Sequence, residues 1–140
     1  MAMTGKCLCG AVTVTLEAKE TVVDACHCGM CRKLTGGGPA FALHTETSAR
    51  PQVAGEDAIR TYASSDWAER AFCGICGTPL WYRFVAQDFY SLSAGLFDPA
   101  EFDFRTQIFV EDKPNFYDFA NKTKMMTGEE VVAAFSGGTG

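Results

Sequence analysis

The stretch Gly5-Lys6-Cys7-Leu8-Cys9-Gly10-Ala11-Val12 contains the C-x-C pair on which closure of the fold depends. Residues i and i+2 of an extended strand project from the same face, so Cys7 and Cys9 can reach one metal ion together. A C-x-x-C turn lies far along the chain in Cys73-Gly74-Ile75-Cys76, and the following Gly77 can take a positive φ. Four thiolates complete a tetrahedral shell, which is typical of structural zinc. We predict one such zinc ion, held by Cys7, Cys9, Cys73 and Cys76.

A second cluster, Cys26-His27-Cys28-Gly29-Met30-Cys31, offers three sulfurs. Cys26 and Cys28 can share one face with His27 on the other, and Cys31 falls in the first turn of a predicted helix over residues 30–34. Three protein ligands leave a fourth zinc position for water or substrate, which is the pattern of catalytic sites. We predict that Cys26, Cys28 and Cys31 hold a catalytic zinc ion that can be labile.

Other interpretations of this second cluster stay open at this point. His27, His44 or an acidic side chain could supply a fourth ligand and make a second structural site. The three cysteines could also be reduced thiols without metal, whereas iron–sulfur ligation suits this set less well than zinc. Arg32 and Lys33 lie close to the N-terminus of the predicted helix. They could favour thiolates or pair with substrate carboxylates, or they could simply lie in solvent.

Composition excludes several classes of function. The 140 residues have a formal net charge of -5 and a sequence pI of about 4.9. Binding to nucleic acid is not expected, because it needs clustered Lys and Arg and the positive residues here are scattered. No apolar run approaches the roughly 20 residues that span a bilayer, and residues 1–7 show neither the apolar segment nor the cleavage-site pattern of a signal peptide. We therefore expect a cytoplasmic protein. Seven cysteines in such a chain favour metal ligation in the cytoplasm over disulfides.

Short alternating segments predict a mainly β domain with short helices. The predicted strands lie around residues 12–16, 41–43, 59–62, 80–84, 90–93 and 107–110. Residues 98–101 predict a tight turn, and Thr127-Gly128-Glu129-Glu130 has the spacing of a capping box that begins a C-terminal helix. The length fits one domain over residues 1–140, with a disordered tail at residues 136–140. The sequence gives no indication of the oligomeric state.

Three motifs in order resemble one known family. They are Gly5-Lys6-Cys7-Leu8-Cys9-Gly10-Ala11-Val12, Cys26-His27-Cys28-Gly29-Met30-Cys31-Arg32-Lys33 and Phe72-Cys73-Gly74-Ile75-Cys76-Gly77-Thr78-Pro79-Leu80. Together they closely resemble the glutathione-dependent formaldehyde-activating enzyme family, to which centromere protein V also belongs. The likeness departs from the family pattern at Gly29, where a serine is frequent, and at Phe116 and Tyr117, where a tryptophan is usual.

The resemblance implies a β-tent fold of strongly bent antiparallel sheets held at one end by zinc. It implies that the four-cysteine set matches the family's structural zinc site and the three-cysteine set its catalytic one. It also implies a carbon–sulfur lyase activity that joins glutathione to formaldehyde as S-hydroxymethylglutathione. The partners expected from this likeness are a small thiol such as glutathione and a small aldehyde.

Two alternatives to this enzyme hypothesis are a non-catalytic, chaperone-like zinc module with two structural sites and a nucleic-acid-binding zinc ribbon. The acidic pI already disfavours the ribbon. Of the aromatic residues, Trp67 is predicted to lie exposed near a site. The others are predicted mostly to fill the core of the sheet, and these are Phe41, Phe72, Trp81, Tyr82 and Phe84.

Overall fold

A computed structural model describes residues 2–98 and 102–136 of the chain. Its strands are β1 (Ala2–Lys6), β2 (Thr13–Glu17), β3 (Val22–Cys26), β4 (Ala40–His44), β5 (Gln52–Ala54), β6 (Ile59–Ala63), β7 (Ala68–Cys73), β8 (Pro79–Phe84), β9 (Phe89–Ser93), β10 (Asp103–Ile108) and β11 (Lys124–Met126). Its α-helices are α1 (Gly29–Thr35) and α2 (Gly128–Ser136). Single 3-10 turns lie at Glu56–Ala58, Val85–Gln87, Ala94–Leu96 and Val110–Asp112.

The strands form two sheets. The smaller has the order β1-β2-β5, and the larger has the order β11-β10-β3-β4-β9-β8-β7-β6. The mainly β prediction with short helices is confirmed. Most neighbours are antiparallel as expected, but β10 pairs in parallel with both β3 and β11. Register shifts in β10 and β7 mark irregular positions of the kind that bend a strand.

The core contains side chains from both sheets. Val14 of β2, Leu43 of β4 and Leu80 of β8 are fully buried and belong to one apolar cluster. Alternation explains this arrangement, because every second residue of a strand projects to the same face. Cys7 and Cys73 are members of the same cluster, so two of the four predicted structural metal ligands lie in the core.

The predicted strands are found close to where they were expected, except that both ends of the last one differ. β10 begins at Asp103 and not near residue 107. β10 ends at Ile108, whereas the sequence predicted extended structure to residue 110. Phe109 has a left-handed φ of 54° and starts a 3-10 turn, which stops the strand. Strands β1, β3, β5, β7 and β11 were not anticipated from the alternation pattern.

The C-terminal helix begins with the predicted capping box. The Thr127 amide donates to Glu130 Oε1 at 2.9 Å, and the Glu130 amide donates to Thr127 Oγ1 at 3.2 Å. Phe135 packs edge-on against Phe84 and Phe89, which fixes α2 over β8 and β9. The predicted turn at residues 98–101 and the predicted tail fall largely outside the described residues, although Ser136 closes α2. Within the described ranges, no helix has the length and apolar character needed to cross a membrane.

Candidate metal centres and their cleft

Two turns bring four cysteines together, one turn between β1 and β2 and the other between β7 and β8. Their four sulfur atoms all lie within 4.8 Å of one another. Cys9 Sγ is 3.6 Å from Cys7 Sγ and 3.8 Å from Cys73 Sγ. The sulfurs of a tetrahedral zinc site with Zn–S bonds of about 2.3 Å lie roughly 3.8 Å apart. This four-cysteine cluster, made of Cys7, Cys9, Cys73 and Cys76, therefore fits a closed tetrahedral metal site.

A glycine shapes each of these turns. Gly10 and Gly77 both have a φ of 81°, a conformation in which a side chain is strained. Their amides donate to the carbonyls of Cys7 and Cys73 at 3.0 and 2.8 Å. The prediction that Cys7 and Cys9 share the face of an extended strand is wrong, because β1 ends at Lys6 and a turn follows. The turn itself makes the two sulfurs converge.

Thr78 links the two turns through its hydroxyl group. Thr78 Oγ1 accepts a hydrogen bond from the Leu8 amide at 3.1 Å and lies 3.1 Å from Cys76 Sγ. Because the amide occupies an acceptor position, the hydroxyl proton can point to the sulfur. This contact is the main reason why the pKa of Cys76 is lowered to about 5. The four-cysteine cluster is thus supported by backbone and hydroxyl donors that favour a thiolate.

The three-cysteine cluster forms where β3 leads into α1. Cys26 is the last residue of β3, Cys28 is the N-cap of α1, and Cys31 is buried in its first turn. Their sulfur atoms lie within 4.8 Å of one another. In the described part of the chain, no histidine or carboxylate joins this group within that distance. The cluster therefore offers three ligands.

Hydrogen bonds between the thiols polarise this cluster. The hydrogen bond from Cys26 is the main cause that lowers the pKa of Cys28, to about 2. The same contact raises the pKa of Cys26. The Cys31 amide also donates to Cys28 Sγ at 3.4 Å, as expected for an N-cap position. Negative charge is therefore held most readily on Cys28.

His27 lies between two of the cysteines but faces away from them. It is 0% exposed. Its Nε2 is 2.9 Å from Gln107 Oε1, which can only accept, so Nε2 carries the proton. Its Nδ1 then accepts from the Tyr117 hydroxyl at 2.6 Å. Both ring nitrogens are used, so His27 is a buried, satisfied side chain and does not complete the three-cysteine cluster.

The other residues suggested from the sequence are placed as follows. His44 Nε2 pairs with Asp24 Oδ2 at 3.1 Å across β3 and β4, and His44 is not grouped with the cysteines. Arg32 Nε donates to the His27 carbonyl at 3.1 Å and so braces the loop between the ligands. Lys33 is exposed on α1.

Arg70 of β7 is the cation that contacts the three-cysteine cluster. It is only 8% exposed, and its Nη1 lies 3.7 Å from Cys31 Sγ. Its Nε donates to Ser64 Oγ at 3.3 Å, and its guanidinium carbon lies 4.8 Å above the Tyr82 ring. A buried guanidinium is stable only beside negative charge or acceptors, and here the Cys31 sulfur and the Ser64 hydroxyl are its acceptors.

A cleft of about 1300 Å³ opens beside the three-cysteine cluster. All three cysteines and Arg70 contribute to its wall, together with side chains of β4, β8, β9 and both α-helices. Trp67 lines it and is 53% exposed, as the sequence predicted. Phe41, Trp81, Tyr82 and Phe84 also line it, although the sequence placed them mainly in the core. A site of this depth can enclose a small molecule next to the thiols.

Sequence reasoning missed Arg70, Gln107 and Tyr117 as supports of this site. One weak signal could have indicated a role for Arg70, because it lies three residues before the ligand Cys73. Gln107 and Tyr117 lie 80 and 90 residues from His27, so no local pattern links them. The role of Gln107 follows from the strand pairing that brings β10 beside β3, and Tyr117 lies in the segment between β10 and β11.

The geometry agrees with what comparison with known proteins finds. A model of the family described as glutathione-dependent formaldehyde-activating enzyme matches residues 2–112. The chain belongs to this family. It is 38% identical over 130 residues to an uncharacterized lyase of Schizosaccharomyces pombe. The alignment covers 91% of this chain and 93% of the lyase.

Two further relatives extend this result. A provisionally named glutathione-dependent formaldehyde-activating enzyme of Halomonas elongata is 27% identical over 135 residues, covering 87% of this chain and 83% of its own. A crystal structure of a Rhodobacter sphaeroides protein superimposes with a TM-score of 0.58 at 23% identity, over 71% of this chain and 91% of that one. The latter likeness supports the fold.

Proposed function

We propose that this protein is a zinc-dependent lyase that forms or cleaves the carbon–sulfur bond of a hydroxymethyl-type adduct. Its partners would be a small thiol such as glutathione and a small aldehyde. The observation that carries this proposal is the three-cysteine cluster in the wall of a cleft, with no fourth protein ligand grouped with it among the described residues. The family membership and the name of the lyase from Schizosaccharomyces pombe support the reaction class.

The donor set of each cluster suits zinc. Thiolate sulfurs are preferred by zinc, and sulfur separations of 3.6 and 3.8 Å fit a tetrahedral shell at the four-cysteine cluster. We assign that cluster to structural zinc and Cys26, Cys28 and Cys31 to catalytic zinc. When bound there, zinc would lower the pKa of an incoming thiol so that it reacts as a thiolate.

Arg70 has two roles in this proposal. Three thiolates and a divalent cation have a formal charge of -1, and the guanidinium 3.7 Å from Cys31 Sγ offsets it. A neutralised cluster binds a further anionic sulfur at lower electrostatic cost. The guanidinium also faces the cleft, where it can stabilise negative charge on the aldehyde oxygen as the carbon–sulfur bond forms.

The buried histidine network positions the ligands. Gln107 and Tyr117 fix the ring of His27, and Arg32 fixes its carbonyl. The backbone between Cys26 and Cys28 is therefore held on three sides. This rigidity keeps the three sulfurs oriented toward one point, which is what preorganisation of a reactive site requires.

The test is an NMR exchange assay of adduct formation between glutathione and small aldehydes. We expect the wild type to accelerate exchange above the uncatalysed rate and Cys28→Ser to fall to that rate. Tyr62→Ala is the matched control, because Tyr62 is exposed on β6 and does not line the cleft. Acceleration that survives in Cys28→Ser would contradict the proposal. Zinc content per chain must show that Cys28→Ser keeps its structural ion.

A further inference from the structure

The cleft beside the three-cysteine cluster has an extended apolar wall that neither the charged glutathione nor a one-carbon aldehyde would cover. Its volume of about 1300 Å³ exceeds the roughly 300–1,000 Å³ typical of sites that enclose drug-sized ligands. Large apolar side chains line it along its length, and they include Met30, Leu34, Phe41, Trp67, Phe84 and Phe89. Formaldehyde has no apolar group that could use such a surface.

The ionisable side chains of the lining leave little charge for polar ligands. Besides the cysteines and Tyr82, the described lining contains Asp24, His44 and Arg70. Asp24 and His44 pair with each other at 3.1 Å. Arg70 is already engaged by Cys31 and Ser64. Neutral polar side chains also line the cleft, among them Thr35, Thr78 and Gln87. Apolar side chains still predominate in the lining, which favours a ligand with an apolar group.

Several apolar side chains of the cleft are also exposed to water. Trp67 is 53% exposed, and Met30 and Leu34 of the short helix α1 are each 42% exposed. A contiguous exposed apolar surface marks a binding site, because covering it releases water. Here that surface is continuous with the three sulfurs, so the ligand that covers it is one that also reaches the reacting centre.

We infer that the physiological aldehyde carries a large apolar group, such as an alkyl chain or an aromatic ring. This inference rests on the proposed function. The thiol sulfur forms a bond to the carbonyl carbon, the carbonyl π electrons move to oxygen, and the thiol proton ends on that oxygen. Nothing is oxidised or reduced, and the product is a hemithioacetal whose apolar substituent lies along the cleft. The reverse reaction releases the aldehyde and the thiol.

An aldehyde series tests the inference directly. Formaldehyde, butanal and octanal are each mixed with glutathione, and the enhancement over the uncatalysed exchange rate is measured by NMR. We expect the enhancement to rise about threefold per added methylene until the cleft is filled. An enhancement that is equal for the three aldehydes, or greatest for formaldehyde, overturns the inference and leaves the proposed function intact. Absence of enhancement for every aldehyde counts against the proposed function.

A binding experiment keeps the inference testable without turnover. The stable thioethers S-methylglutathione and S-octylglutathione are titrated into the zinc-loaded protein by calorimetry. We expect the octyl compound to bind on the order of a thousandfold more tightly, because seven added methylenes at about threefold each are buried against apolar side chains. Equal affinities overturn the inference whatever the activity assay shows.

Matched variants locate the effect. Trp67→Ala removes an exposed aromatic side chain that lines the cleft. Tyr62→Ala removes an aromatic side chain of similar size, which is 66% exposed and does not line the cleft. We expect the octyl preference to fall at least several-fold in Trp67→Ala and to be unchanged in Tyr62→Ala. An equal preference in both variants overturns the inference. Sedimentation of both variants checks another occupant: a dimer lost only in Trp67→Ala would assign the cleft to a second copy and also overturn it.

Discussion

The four-cysteine and three-cysteine clusters use the same ligand type in opposite surroundings. Cys7 and Cys73 of the first belong to the apolar core, and its further contacts come from turn amides and the Thr78 hydroxyl. The second lies in the wall of a cleft, and its neighbour is the buried cation Arg70. Cys9 of the first cluster is exposed and Cys76 is half-buried, so this cluster joins the core to the surface. A closed shell of four thiolates suits stability, whereas an incomplete shell with charge compensation suits reaction.

One strand connects the two clusters. β7 contributes Cys73 to the first and, three residues earlier, Arg70 to the second. The two environments are therefore coupled through a rigid element, although their ligands come from different turns. The number of thiolates alone therefore does not define the role of a cluster, since the surrounding charge and the adjoining cleft also differ.

The largest expected effect separates the two clusters by stability. Cys73→Ser removes a fully buried ligand that joins distant parts of the core, and we expect a loss on the order of 5 kcal/mol of unfolding free energy. Cys26→Ser should cost much less, because its cluster closes only a local segment. Chemical denaturation with zinc quantification measures both. Similar losses would favour the alternative of two structural sites.

The next effect concerns charge at the three-cysteine cluster. Arg70→Met removes the guanidinium next to Cys31 and should weaken metal binding there by about 10- to 100-fold. Arg70→Lys keeps the positive charge and should recover part of the affinity. Cobalt titration followed by sulfur-to-metal charge-transfer absorption reports this without any substrate. If Arg70→Met and Arg70→Lys bind cobalt equally well, charge compensation is not the function of Arg70.

A smaller effect is expected in the histidine network. Tyr117→Phe leaves His27 Nδ1 buried without its donor, which should cost about 1–3 kcal/mol of unfolding free energy. The matched control is Phe116→Leu, because Phe116 is exposed beside it. Urea unfolding of both variants makes the measurement. Equal stabilities would show that the hydroxyl does not support the loop.

The smallest effect lies in the capping box of α2, whose helix lines the cleft. Thr127→Ala should cost about 1 kcal/mol, as is usual for loss of an N-cap. Hydrogen bonding to the Thr127 amide lowers the pKa of Glu130, so its stabilisation is complete above the ordinary value of 4.5 and is lost as pH falls through the lower folded value. Helix content between pH 6 and pH 3, by circular dichroism, should fall more in wild type than in Glu130→Gln. The same pH dependence in both would contradict this assignment.

Local patterns predicted much of the fold. Alternation located β2, β4, β6, β8 and β9, and the Thr127-to-Glu130 spacing located the start of α2. These signals depend only on residues a few positions apart in the chain, so they do not depend on how distant segments pack. The C-x-C pair was placed on the wrong element because the rule that puts residues i and i+2 on one face holds within a strand, and Cys7 and Cys9 lie beyond the end of β1.

The candidate site was predictable only as far as its cysteines. Spacing grouped Cys26, Cys28 and Cys31, and the structure brings these three together. Arg70, Gln107 and Tyr117 were not predictable, since each reaches the site from a distant segment. The parallel pairing of β10 with β3 places Gln107 beside Ala25, and no periodicity in either segment encodes that register.

The ligand chemistry of this protein can be predicted from short motifs alone, since the number and spacing of the cysteines are set by covalent connectivity. The surroundings of each cluster come from the folded chain, which packs Cys7 and Cys73 into the core and places Cys26, Cys28 and Cys31 in an apolar cleft beside a buried guanidinium. Burial and charge are properties of the surroundings, and these are assembled from residues far apart in the chain.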